Sequence, residues 1–90
     1  MIFPPTATTA QTAATTIDTP AALGDAVRRA RKQLSLTQPQ LALAAGVGVR
    51  FIVDLEAGKP TLRLENILRV LHALGGSLAV SGLPTPSEGG

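Results

Sequence analysis

Apolar residues recur through the middle of this chain with a helical period. Leu23, Val27, Ala30 and Leu34 form one stripe at spacings of four, three and four, with Arg28, Arg29 and Lys32 off it. Thr19 and Pro20 open that helix as a cap and a first-turn proline. A second helix starts after Thr37. Thr37 and Gln40 have capping-box spacing, Leu36 and Leu41 can close a hydrophobic staple, and Pro39 sits where its missing N–H costs nothing. Gly46 ends this helix as a left-handed residue. A third helix follows at once, from about Val49 to Ala57, with Gly58 as its stop. A fourth, beginning near Thr61 to Arg63, puts Leu64, Ile67, Leu68, Leu71 and Leu74 on one side and ends at Gly75-Gly76.

After the double glycine the period drops to two. Leu78 and Val80 face one way, Ala79 and Ser81 the other, which is a strand pattern over 77–83. A single strand in a helical chain has two unpaired edges. Its cheapest partner is the same strand of a second copy, so Leu78 and Val80 are expected to pair across a two-fold dimer. Residues 1–18, rich in Thr, Ala, Pro and Gln, cannot bury enough surface to offset chain entropy and read as a disordered arm. Residues 84–90 read as a flexible tail, which leaves 19–76 as the folded domain.

The middle of the chain breaks one helix after eight residues and restarts almost at once. Two helices joined by a short glycine-containing turn make a helix-turn-helix. The geometry needs Leu41 and Ala45 pointing inward and a small residue, Ala42, where the next helix passes. It also needs Gly46 in a conformation a Cβ resists, and Val47, Ile52 and Leu55 closing the core from the other side. Every one of these positions is filled accordingly.

Charge and composition narrow the function. The chain is 90 residues with net charge +2, enough for one small domain. Between residues 28 and 63, seven basic side chains face only Asp54 and Glu56, a local charge of +5 that suits a polyanion. There is no cysteine and only one histidine, His72, so neither a thiolate nor a histidine metal cluster is expected. A catalytic centre needs a nucleophile with a base, or paired carboxylates in a pocket. None is evident, so the chain reads as a non-enzyme without cofactor or metal. The start, "MIFPPTATTAQTAATT", has no basic n-region or apolar run, and no apolar stretch is long enough to span a membrane. A cytoplasmic, nucleoid-associated protein is the expectation.

Residues 20–75 resemble the phage-repressor (Cro/Xre) helix-turn-helix family. The family run stands here as Leu36-Thr37-Gln38, Leu41-Ala42, Gly46-Val47, Ile52, Leu55-Glu56 and Gly58. The resemblance implies an all-α, compact, lambda-repressor-like domain of four to five helices, with the third helix in the DNA major groove and a dimer on a palindromic operator. "GKPTLRLENILRVLHALG" followed by a strand is similar to HipB-like antitoxins, which implies a HipA-like kinase toxin as partner.

The family also implies a structural ion pair between Arg31 and Glu56 and a phosphate contact from Gln38. Val49, Arg50, Val53 and Asp54 take the outward positions of the third helix. Arg50 can reach guanine with two bonds, Val49 and Val53 offer only apolar contact, and Asp54 either accepts from cytosine or orients Arg50. Gly48 replaces the commoner serine cap, and Lys59 suits a phosphate. The expected DNA-binding set is thus Thr37, Gln38, Gly48, Val49, Arg50, Val53, Asp54 and Lys59. Arg28, Arg29 and Lys32 suit phosphate or an acidic partner equally. Two alternatives stay open: a stand-alone regulator without a toxin, and an interaction module that has lost DNA reading.

Overall fold

A computed structural model describes residues 14–84. Four helices make the fold: α1 (Pro20–Gln33), α2 (Gln38–Ala45), α3 (Val49–Glu56) and α4 (Leu64–Ala73). The expected arm lies mostly in residues 1–13 and the expected tail mostly in 85–90, outside the described residues.

The starts of α1 and α2 follow from side-chain caps. Thr19 Oγ1 accepts from the Ala22 N–H at 3.0 Å. Thr37 Oγ1 accepts from the Gln40 N–H at 3.1 Å, and Gln40 Oε1 accepts from the Thr37 N–H at 2.8 Å, closing the capping box. Helix α3 opens at Gly48 with no side-chain cap. The ends follow from left-handed residues. At Gly46 (φ 74°) the next N–H, of Val47, reaches back to the Ala42 carbonyl at 3.0 Å. At Gly58 (φ 84°) the Lys59 N–H reaches the Asp54 carbonyl at 3.0 Å. Both are six-to-one closures in which orphan carbonyls find donors. Helix α1 closes the same way through Ser35 at φ 59°, with the Leu36 N–H on the Arg31 carbonyl at 3.1 Å.

The core is Val27, Leu41, Ala42, Ala45, Ile52, Leu55 and Val70. Helix α3 packs on both α1 and α2, and α4 packs on α2. Gly24 lies where α1 meets the end of α3, and a Cβ there would sit 2.3 Å from the Leu55 carbonyl oxygen. The axes come that close only because the side chain is absent.

Two side-chain expectations are corrected. The inner face of α4 centres on Val70, fully buried, with Ile67, Leu71 and Leu74 against the core, whereas Leu64 is 58% exposed. The residues Ile67, Val70, Leu71 and Leu74 also satisfy the helical period, and contact with α2 selects that face over the one including Leu64. Leu34, expected in the α1 stripe, is 52% exposed, because the chain has already turned at the helix end. Residues 77–83 carry no ladder hydrogen bond among the described residues, and Leu78 and Val80 are exposed. A strand is defined by backbone pairing, so a single copy of this segment has nothing to pair with.

Candidate nucleic-acid interface

The site is assembled on α3, and what holds α3 is a buried ion pair. Arg31 Nε donates to Glu56 Oε2 at 2.6 Å and Nη2 donates to Oε1 at 2.9 Å, a two-bond fork. The third donor, Nη1, reaches the Leu36 carbonyl at 2.8 Å. One side chain of α1 therefore pins the end of α3 and the lead-in to α2. Hydrogen bonding from the Glu56 side raises the Arg31 pKa, against the effect of burial, and the Glu56 charge adds to the rise. For Glu56, burial pushes the carboxyl up. Hydrogen bonds from Arg31 and Gln38, with the charges of Arg31 and Arg28, outweigh that and hold it below the usual value.

Gln38 joins the same network, its Nε2 donating to Glu56 Oε1 at 3.1 Å. The sequence offered a phosphate for this residue and did not foresee this bond. The contact depends on the turn bringing α2's first residue beside α3's last, which no local spacing encodes. Arg28, Arg31, Gln38, Val53, Glu56 and Ala57 line a shallow depression between α1, α2 and α3. Thr37 lies exposed at the start of α2, its hydroxyl used by the capping box.

The outer side of α3 holds a charged triplet. Arg50 Nε lies 3.2 Å from Asp54 Oδ1, and Lys59 Nζ lies 3.7 Å from Asp54 Oδ2. Arg50 is 83% exposed and Asp54 only 18%. The left-handed closure at Gly58 delivers Lys59 here, because it ties the Lys59 backbone to the Asp54 carbonyl. Val49 is exposed and Val53 half-buried, both on α3, while Phe51 packs toward the core. The structure thus brings Arg50, Asp54 and Lys59 together, and it gathers Gln38, Arg31 and Glu56 into a second group. Leu78 and Val80 lie outside both. Among the described residues no group of three or more His, Cys, Asp or Glu side chains is arranged to hold a metal, and no helix is long and apolar enough to cross a membrane.

Two short helices joined through the left-handed Gly46, the second braced at its end by an ion pair, define a class: the helix-turn-helix proteins. The helix-turn-helix family model matches residues 27–80. The chain belongs to that family, in its phage-repressor (Cro/Xre) type, and is a DNA-binding regulator of transcription. It is 55% identical over 64 residues to the uncharacterized HTH-type transcriptional regulator y4mF of Sinorhizobium fredii, covering 71% of this chain and 84% of that protein. In fold it is similar to the solved HipA-HipB-O2-O3 complex, with a TM-score of 0.71 and 24% identity over 79% of this chain and 100% of that one. It is also similar to the clp gene regulator ClgR from C. glutamicum, with a TM-score of 0.61 and 33% identity over 73% of this chain and 85% of that one.

Proposed function

We propose that the protein is a sequence-specific repressor that binds a palindromic operator as a homodimer. In this reading it is the antitoxin of a HipA-like kinase toxin, silencing its own operon while neutralising the toxin. Its working place is the cytoplasm, at the nucleoid. The observation that carries the proposal is the bracing of α3 by the Arg31–Glu56 fork, with Arg50 exposed on the same helix. Arg50 reads guanine O6 and N7, while Val49 and Val53 meet thymine methyls. Lys59, with Thr37, Gln38 and Gly48 at the helix starts, meets the backbone, which sets register without reading sequence. Leu78 and Val80 of two copies pair to form the dimer. The toxin part is supported by the fold shared with HipB, whose solved complexes include one with HipA and one with a 20-mer of its O4 site.

Selection of bound duplexes from a random pool tests the operator reading. The expected product is a two-fold motif with half-sites about 34–36 Å apart, centre to centre. No enrichment, or a motif without symmetry, rejects it. A stand-alone regulator is the second reading, in keeping with y4mF, described as an uncharacterized HTH-type transcriptional regulator. A kinase-like gene beside this one favours the antitoxin, and its absence favours the stand-alone form. Loss of DNA reading altogether would leave at most sequence-independent binding, equal for every duplex in the pool.

A further inference from the structure

Asp54 lies between the two cations that the operator reading assigns to DNA, which is an unusual place for a carboxylate. Phosphate repels it, so its presence calls for a role. Both of its oxygens are engaged, Oδ1 by Arg50 Nε at 3.2 Å and Oδ2 by Lys59 Nζ at 3.7 Å. Its side chain is 18% exposed, against 83% for Arg50 and 51% for Lys59. With both oxygens facing cations and little of the side chain exposed, this carboxylate is committed to Arg50 and Lys59 before it is to a base. It holds one edge of the Arg50 guanidinium. A guanidinium is a planar fork, and with its Nε edge turned to Asp54 its two Nη nitrogens form the outward end. Two parallel donors at that end match guanine O6 and N7.

We infer that Asp54 is the specificity-determining positioning residue of this interface. It orients Arg50 end-on, so that one base pair of each half-site must carry guanine. It also restrains Lys59, lowering affinity for DNA of arbitrary sequence. The inference rests on the operator reading and deepens it. A flexible, unpaired arginine at the same place would reach phosphates and several acceptors with little preference. The Asp54 charge removes that freedom and opposes phosphate, so discrimination rises by two routes. Lys59 is pinned to the same carboxylate because the helix closure at Gly58 fixes its backbone on the Asp54 carbonyl.

The test uses the full chain in wild-type, Arg50→Ala, Asp54→Asn and Asp54→Glu forms. Each is put through selection from a random duplex pool and through binding to one operator and one unrelated duplex. Asp54→Asn keeps size and removes the charge. In the wild type, guanine at the Arg50 position is expected to be preferred by roughly 5- to 150-fold. Asp54→Asn is expected to reduce that preference to under about 3-fold, at that position only, while binding to the unrelated duplex tightens several-fold. Asp54→Glu, which keeps a carboxylate within reach, is expected to restore most of the preference. If Asp54→Asn and Asp54→Glu both weaken the two duplexes together and lower the melting temperature, Asp54 is structural and the assignment is overturned. It is also overturned by a guanine preference that survives Asp54→Asn, or by one replaced by loss of a cytosine preference. A wild-type pool with no motif at all overturns the operator reading, and the Asp54 assignment with it.

Discussion

Arg31 places three donors on three acceptors in a space almost closed to water. Replacing it by leucine strands the Glu56 carboxylate there, and the expected loss is about 3–5 kcal/mol in urea unfolding. The same carboxylate sets an acid limit. Glu56 is held below its ordinary 4.5 in the folded state, so the folded chain binds fewer protons than the unfolded one. Its contribution to stability is complete above that ordinary value and falls away as pH drops through the lowered one. The melting temperature of the wild type is therefore expected to fall on acidification below about 4.5, and that of Glu56→Gln to fall less steeply. On the outer side of α3, Arg50→Ala is expected to relax base preference at one operator position. Lys59→Ala is expected to weaken all duplexes alike and flatten the salt slope by about 1. The pairing of Arg31 with Glu56 was legible only by resemblance, because 25 positions separate the two and no periodicity links them.

Helix boundaries were legible because capping is local chemistry. Thr19, Thr37 and Gly46 act within one turn of themselves, so the residues in hand carry the whole signal. The serine that closes α1 at φ 59° carried no such mark, since serine is not a usual left-handed residue. Gly24 was the missed element-scale signal. A glycine inside a helix costs about 1 kcal/mol against alanine, which asks for a packing reason. That reason is the approach of α1 to the Leu55 and Glu56 carbonyls, at 2.3 and 2.9 Å from a hypothetical Cβ. Gly24→Ala is expected to push α1 off the end of α3 and cost about 1–3 kcal/mol. Operator affinity should fall with it, measured at a temperature where the variant is still folded, because the same shift disturbs the Arg31–Glu56 fork.

At the scale of the whole molecule the open matter is the second copy. Leu64, Leu78, Val80 and Leu83 are all exposed large apolar side chains toward the C-terminal end of the chain. Ending the chain after Gly76 is expected to lower the sedimentation coefficient toward that of a monomer and weaken operator binding. An unchanged coefficient would remove the strand pairing from the proposal. The amino-acid order alone determined where most of the helices begin and end, which small residues crowd the turn, and that the middle of the chain is basic, because each of these is written in neighbours a few positions apart. Only the tertiary structure decided which face of α4 is buried and that Gln38 serves Glu56. Those outcomes depend on distances between groups remote along the chain or on rotamers chosen in contact, and such distances exist only once the helices have packed.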